Sequence, residues 1–303
     1  MKILVTGGAG FVGRYLVNLL LEKHKVRIYD DLSCSSEQNI TPLIQRGADF
    51  VKGDILDYNT LVESCKEFDF VIHLAAKSDV ADSAIHPETT INVNVNGTVN
   101  VLRACTQNKI RKIIFASSAA VYGDCNELPI TEESDTNPTS PYGSSKLAAE
   151  NEIKKFASEF GISYVILRMF NVYGKGQNNQ YAGVITKFLK NISENKEITI
   201  YGDGKQTRDF VSINDVVESF SDAIKSNKNG TYNIASGRSL SINELVKTIF
   251  DIFEKKVEIK YLEKQKGDIQ NSQADITLAK KELKFNAKTS LKEGLSDLIS
   301  VSN

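Results

Sequence analysis

Tyr142 and Lys146 stand four residues apart in Asn137-Pro138-Thr139-Ser140-Pro141-Tyr142-Gly143-Ser144-Ser145-Lys146. Pro138 and Pro141 precede what reads as a helix from Tyr142 through Phe156, so the two side chains share one face. A phenol titrates at about 10 and is a poor base at neutral pH. A nearby ammonium favours the phenolate, as does any other cation held beside it. Bringing a phenol into a useful range takes several units, more than one neighbour supplies. Taken alone, a tyrosine and a lysine one turn apart are an ordinary helix-surface pair. A hydroxyl source stands upstream, where Phe115-Ala116-Ser117-Ser118-Ala119-Ala120-Val121-Tyr122-Gly123 closes an apolar run. Ser118, at a strand's carboxyl end, faces the place where open α/β sheets bind ligands. Base, cation and hydroxyl together suit proton transfer to or from an alcohol.

A second group of residues suits a phosphate. Lys2 to Val5 reads as a strand and runs into Thr6-Gly7-Gly8-Ala9-Gly10-Phe11-Val12-Gly13, after which helical spacing begins. Glycines let the backbone turn tightly and approach a pyrophosphate. The helix start then offers free N–H groups and the positive end of its dipole. Asp30 ends the next strand, Val26-Arg27-Ile28-Tyr29-Asp30. A carboxylate there accepts from a ribose diol and repels a 2′-phosphate, which favours NAD over NADP. Asp54, in Lys52-Gly53-Asp54-Ile55, either holds an adenine amino group or caps a strand end. A bound nicotinamide is then the further cation that Tyr142 needs.

These groups require a sheet to hold them in register. Apolar, β-branched runs recur at Ile3-Leu4-Val5, Val26 to Tyr29, Phe70 to Leu74, Ile113 to Ala116 and Tyr164 to Leu167, with Phe50-Val51 weaker. Runs unbroken by polar residues suit strands covered on both faces. Helical spacing fills the intervals, as in Phe11 to Leu21 and Val93 to Cys105. The alternation predicts an α/β fold, a Rossmann-like doubly wound parallel sheet whose right-handed crossovers bring the strand-end loops to one edge. After residue 170 the pattern changes. Asn171 to Tyr181 reads as loop, Asn195 to Gly204 as a short strand and turn, and Ser212 to Ile224 and Ser241 to Phe253 as helices. The division expected is an NAD-binding domain at 1–170 plus about 208–235, with a smaller interleaved lobe at 171–207 and 236–303.

Composition narrows the partners. The chain has 303 residues, 41% apolar and 25% charged, an ordinary globular balance. Lys+Arg of 37 against Asp+Glu of 38 leaves a formal charge of -1, which disfavours coating nucleic acid or an anionic membrane. Cysteines at 34, 65, 105 and 125 and three histidines make no zinc-ligand pattern, so no metal is expected. The thiols read as small buried or half-buried groups, in keeping with a cytoplasmic protein. The opening apolar run is too short for a secretory signal. No stretch reaches the roughly 20 apolar residues of a membrane span.

Seven motifs stand in order: TGGAGFVG (6–13), HLAA (73–76), NVNGT (94–98), SSAAVYG (117–123), SPYGSSK (140–146), LRMFNVYG (167–174) and GDGKQTRDFV (202–211). The set resembles the extended short-chain dehydrogenase/reductases of the NAD-dependent epimerase/dehydratase family, most of all nucleotide-sugar epimerases of the UDP-glucose 4-epimerase type. The resemblance runs over essentially the whole chain. It implies that Tyr142 takes the proton of a sugar 4-hydroxyl as the C4 hydride passes to NAD. Lys146 would bind the nicotinamide ribose and support the phenolate, and Ser118 would hydrogen-bond the 4-oxygen. The 4-keto sugar then turns over and takes the hydride back on its other face. Cofactor contacts implied are Gly7, Gly10, Phe11, Val12, Gly13, Asp30, Asp54, Ile55, Leu74, Ala75 and Ala76, with Asn94 supporting the site from its helix. The UDP-sugar would be held by Asn171, Val184, Tyr201, Arg208, Asp268 and Ser272. Arg208 has a case of its own, since guanidinium pairs well with phosphate; the alternative is a surface ion pair with Asp209 or Asp203.

Departures from the family pattern inform too. Related dehydratases and decarboxylases carry an acid directly after the serine of the strand-end motif, where this chain has Ala119. The loop after the NVYG motif offers Lys175 but no arginine for a uronate carboxylate, and Gln265 replaces an arginine of the diphosphate clamp. Small Ser272 would admit N-acetylated hexoses. The resemblance also implies a homodimer through Val93 to Cys105 and Tyr142 to Phe160. Kept open are other nucleotide-sugar chemistries (UDP-glucuronate epimerase, decarboxylase, dTDP-sugar reductase) and a non-catalytic NAD-binding protein. The intact Ser118, Tyr142 and Lys146 weigh against the last.

Overall fold

The computed structural model describes residues 1–125, 127–177, 183–264 and 269–300. Each apolar run forms a strand: β1 Lys2–Thr6, β2 Lys25–Asp30, β3 Asp49–Lys52, β4 Phe70–His73, β5 Lys112–Ser118 and β6 Ser163–Met169. Then follow β7 Asn171–Tyr173, β8 Ile198–Tyr201, β9 Thr207–Ser212, β10 Gly230–Ile234, β11 Ser239–Ser241 and β12 Ile259–Leu262. Among the described residues, seven strands make one parallel sheet in the order β10-β6-β5-β4-β1-β2-β3. The chain winds outward from β1 to β3, then returns to β4 on the other side of β1. The loops after β1 and β4 therefore part at the carboxyl edge, which is where such sheets open a ligand crevice.

Why the strands read as unbroken apolar runs is plain from the packing. Ile3 and Val5 of β1 face Leu16, Val17, Val216 and Phe220 on one side, while Leu4 faces Leu61, Val101 and Leu102 on the other. Helices cover both faces, so successive side chains are all buried. Helix Pro141–Phe160 is started and stopped by local chemistry. Ser140 caps it by accepting from the Gly143 N–H at 3.0 Å, Pro141 fills its first turn, and Gly161 ends it at φ 70°.

Two segments depart from their sequence pattern because of tertiary context. The composition of Asn171 to Tyr181 predicts loop, but its first three residues form β7, paired with β9 through Asn171 and Phe210. The periodicity of Val93 to Cys105 predicts one helix, but Asn92–Asn96 makes a π-helical turn before the α-helix Gly97–Gln107. Cys34 is exposed, contrary to the expected burial of the thiols, while Cys65 and Cys105 are buried. Among the described residues, no helix is long and apolar enough to cross a membrane.

β7, β9 and β11 form a small sheet, and β8 pairs with β12. A separate apolar cluster, including Phe188, Ile192, Ile198, Leu245 and Ile249, packs beneath them. Asp209 of β9 ties this region together. Fully buried, its carboxylate accepts from Ser236 N at 2.8 Å, Ser236 Oγ at 2.6 Å, Gly237 N at 3.0 Å and Ala274 N at 3.2 Å. Asp209→Ala leaves the buried Ala274 N–H and the part-buried Ser236 and Gly237 donors without an acceptor and is expected to cost on the order of 3 kcal/mol. Urea unfolding reads this as a lower midpoint at unchanged slope; a loss below about 1 kcal/mol would show that water replaces the carboxylate.

Candidate active site

The carboxyl edge of the main sheet opens into a cleft of about 1360 Å³. Its floor is the glycine loop after β1. Gly7 sits at φ +69°, and a Cβ there would lie 2.5 Å from the Ala75 nitrogen. A Cβ on Gly13 would lie 2.3 Å from the Gly7 oxygen, so helix Phe11–Leu20 packs directly on the loop. Gly10 differs: a Cβ there meets only the Gly7 oxygen, at 3.3 Å, on a residue that lines the cleft. Gly10 is also the helix N-cap and brings no side chain to its first N–H groups, which stay available to an anion. Asp30 braces the loop, its carboxylate accepting from Ala9 N at 3.0 Å and Leu32 N at 2.8 Å, and burial pushes its pKa up. A bare backbone at Gly10, open N–H donors and an acid at the end of β2 fit a dinucleotide.

Ser118, Tyr142 and Lys146 line the same cleft. Ser118 ends β5, and its Oγ accepts from Ala120 N at 3.2 Å. Tyr142 is fixed through its backbone. Its N–H donates to Ser83 Oγ at 3.2 Å, and its carbonyl accepts from Ser145 Oγ at 2.7 Å. Asn94, in the π-helical turn, donates to Ser145 Oγ at 2.9 Å and pairs with the backbone of Lys77 at 2.8 and 2.9 Å. The extra residue of a π turn re-aims a side chain, and here it aims Asn94 across to the helix that carries Tyr142 and Lys146.

Lys146 is 3% exposed. Its Nζ donates to the Ala116 carbonyl at 2.9 Å and lies 4.8 Å from the Phe115 ring centre and 5.9 Å from that of Tyr142. Burial pushes its pKa down to about 7, with the Glu150 carboxylate opposing. Burial raises the Tyr142 phenol, and a hydrogen bond with Ser118 works against that rise. The lowered phenol expected from the Tyr–Lys spacing is thus not a property of the chain by itself. His73 lies between Thr6 Oγ1 at 2.7 Å and Thr98 Oγ1 at 3.0 Å, its pKa pushed down to about 3 by burial first and Lys146 second. It is neutral and adds no charge beside the lysine.

Of the residues singled out from sequence, Gly7, Gly10, Phe11, Val12, Gly13, Asp30, Asp54, Ile55, Leu74, Ala75, Ala76, Ser118, Tyr142, Lys146, Asn171 and Val184 all line this one cleft. Asn94 does not: it is 2% exposed and acts on the site through Lys77 and Ser145. Tyr201, Arg208 and Ser272 also lie outside the lining. Tyr201 is 40% exposed on β8, the Arg208 guanidinium donates to the Thr207 carbonyl at 2.8 Å, and the Ser272 N–H donates to Thr207 Oγ1 at 3.3 Å. The Asp209 carboxylate suggested as an Arg208 partner is engaged by Ser236, Gly237 and Ala274. Asp268 and Gln265 lie outside the described residues. The cleft wall also holds residues that sequence reasoning passed over, notably Lys77 to Asp82, Glu88, Gln177 and Lys187. Their signal was position: Lys77 to Asp82 directly follow a strand end in HLAA.

A doubly wound sheet with a glycine phosphate loop and a Ser, Tyr, Lys group at its carboxyl edge defines a nucleotide-cofactor oxidoreductase scaffold. Residues 3–235 match the family model of the NAD dependent epimerase/dehydratase family. The chain is 39% identical, over 98% of its length and 97% of the relative's, to a Methanocaldococcus jannaschii protein provisionally assigned as a UDP-glucose 4-epimerase. It superimposes at a TM-score of 0.95 on the UDP-glucose 4-epimerase of Thermotoga maritima solved with UDP-glucose, with 35% identity over 99% of this chain and 98% of that one. The UDP-N-acetylglucosamine 4-epimerase of Methanobrevibacter ruminantium, solved with UDP-N-acetylmuramic acid, gives a TM-score of 0.94 at 35% identity over 99% and 97%. The chain belongs to the NAD-dependent epimerase/dehydratase family of extended short-chain dehydrogenase/reductases, and its cofactor is NAD.

Proposed function

We propose that the chain inverts C4 of a UDP-hexose, interconverting UDP-galactose and UDP-glucose through a transient 4-keto sugar. The observation that carries this reading is the meeting of Ser118, Tyr142 and Lys146 in the same cleft as the glycine loop. NAD, when bound, supplies a reversible hydride acceptor. Gly7, Gly10, Gly13 and the open N–H groups of helix Phe11–Leu20 would hold its pyrophosphate, and Asp30 its adenosine ribose. Ser118 Oγ holds the sugar 4-oxygen. Tyr142 removes the 4-hydroxyl proton as C4 is oxidised and returns it when C4 is reduced. Lys146 supports the phenolate by its charge, together with the bound cofactor's own positive ring.

The same residues weigh against other family chemistries. Removing a proton at C5 or C6 needs a second base near the sugar, and the position after Ser118 is Ala119. Lys175, the cation considered for a uronate, is not in the cleft lining; its carbonyl accepts from Tyr15 Oη at 2.9 Å. The small size of Ser272 carries no argument for N-acetylated sugars while that residue lies outside the lining. With this reading go a division into 1–170 plus about 208–235 for NAD and 171–207 with 236–303 for the UDP-sugar, and a cytoplasmic setting. A homodimer is proposed through helices Gly97–Gln107 and Pro141–Phe160, beside which Ile91 and Phe160 are 46% and 52% exposed.

The test is an NMR time course of the purified chain with UDP-galactose and, separately, UDP-GalNAc, with no NAD added. Accumulation of the gluco epimer from UDP-galactose is expected, with the second substrate reporting how far an N-acetyl group is tolerated. No epimer from either sugar, even after NAD is supplied, overturns the reading.

A further inference from the structure

One turn further along the helix face that carries Tyr142 and Lys146 lies a buried charge cluster that the proposed chemistry leaves unused. Glu150 follows Lys146 by one helical turn and is fully buried. Its Oε1 accepts from Ser117 Oγ at 2.5 Å and from Arg168 Nε at 3.0 Å, and its Oε2 accepts from Arg168 Nη2 at 2.7 Å. Ser117 stands next to Ser118 on β5 and lines the cleft. Arg168, on β6, is 3% exposed; its guanidinium lies 4.8 Å from the Tyr122 ring centre and donates to the Glu132 carbonyl at 3.3 Å. The carboxylate is therefore held at a fixed place by two strands.

A brace alone does not explain charge at this position. Both ions lose water on burial, and a well-packed apolar pair is generally as stable. Lys146 supplies the missing reason. Side chains one turn apart on a helix are neighbours, about 5–6 Å between Cβ atoms. Among the described residues, the groups facing Lys146 are the Ala116 carbonyl on β5, which accepts from its Nζ; Tyr142 on the same helix, a neutral phenol; His73 on β4, held neutral; the Phe115 ring on β5; and Glu150. Of these, Glu150 is the anion. Facing Glu150 in turn are Arg168 and, at 3.9 Å from the surface side, Lys154, while Tyr122 and Glu132 face Arg168. Burial drives the Lys146 pKa down to about 7, and Glu150 opposes it.

We propose that Glu150 is a positioning residue for Lys146, its carboxylate fixed by Ser117 and Arg168 so as to keep the ammonium charged beneath the Tyr142 phenol. Arg168 sets how strongly that carboxylate is felt. This rests on the reading of Tyr142 and Lys146 as the acid–base pair.

The test is an NMR titration of the full chain carrying ¹³Cε-labelled lysine, with the Lys146 signal assigned by its loss in Lys146→Met. Glu150→Gln removes the anion and is expected to lower the Lys146 midpoint by about one unit or more. Arg168→Met removes the cation that offsets the carboxylate and is expected to raise it. The alkaline limb of the epimerase pH–rate profile moves in the same two directions. Glu150→Asp keeps the charge and holds the midpoint near its original value. A merely structural cluster gives a different result: both variants lose melting temperature while the midpoint stays where it was, which overturns the proposal. Should Glu150→Gln leave Arg168 unpaired and unfold the chain, Glu150→Gln/Arg168→Gln removes both charges together, and the midpoint is still expected to fall, by less; an unmoved midpoint there counts equally against it. Failure of the epimerase reading shows separately, as no 4-epimer from the unaltered chain.

Discussion

Tyr142→Phe is expected to lower kcat for UDP-galactose by about 10²–10⁴-fold, the usual contribution of a positioned acid–base group. The change deletes one oxygen and keeps the ring. Tyr142 is held through its backbone by Ser83 and Ser145, so the helix and its register survive the substitution. KM should move by only a few fold, because the phenol acts on the proton in flight rather than on the nucleotide. The melting temperature should stay close to that of the unaltered chain, since the lost hydroxyl's hydrogen bond with Ser118 lies on the cleft wall rather than within the core. Steady-state kinetics and a melting curve on the same preparation decide it. A kcat within about threefold of the original would assign the proton to another group.

Gly13→Ala is the second change with a large expected effect. An added Cβ would sit 2.3 Å from the Gly7 oxygen and 2.6 Å from the Gly8 Cα, both backbone atoms with no freedom to turn aside. The helix must then lift off the glycine loop. NAD affinity is expected to fall by at least about 100-fold, on the order of 3 kcal/mol, together with a drop in melting temperature. Gly10→Ala serves as its partner experiment. There the new methyl meets only the Gly7 oxygen at 3.3 Å and otherwise points into the cleft, so the fold should melt as before. If a pyrophosphate lies on that backbone, Gly10→Ala still weakens NAD. Calorimetric titration with NAD separates the cases: equal NAD affinity in Gly10→Ala and the unaltered chain would remove the diphosphate from this loop.

Local signals made half of this site legible in the sequence. The glycine loop, Asp30 and the Tyr142–Lys146 pair depend on short spacings, and a strand followed by a helix is enough to place each of them. What escaped depends on distant pairing. Asn171–Tyr173 carries no strand pattern of its own and becomes one only because Thr207–Ser212 offers a free edge. Gly230–Ile234 finishes the main sheet against β6, far from it in sequence. Asn94 is expected to support the site from its helix, but the π-helical turn that aims it at Lys77 and Ser145 has no sequence signal of its own. The substrate side is the least legible. Tyr201, Arg208 and Ser272 sit on short strands and connections outside the main sheet, where no periodicity fixes which way a side chain faces. Spacing also leaves burial out of view. In the folded chain desolvation moves the Lys146 ammonium down to about 7 and the Tyr142 phenol up, which the one neighbouring charge does not offset.

The central claim is that C4 of the sugar is oxidised and reduced again within the closed chemistry of one cleft. UDP-galactose carrying deuterium at C4, incubated with the chain in ordinary water and followed by NMR and mass spectrometry, tests it directly. Hydrogen that leaves C4 as hydride and returns from the same cleft does not exchange with solvent. UDP-glucose that retains its deuterium at C4 is the expected product. UDP-glucose with the label washed out would mean that C4 loses a proton instead, and would contradict the roles assigned to Tyr142, Lys146 and the glycine loop.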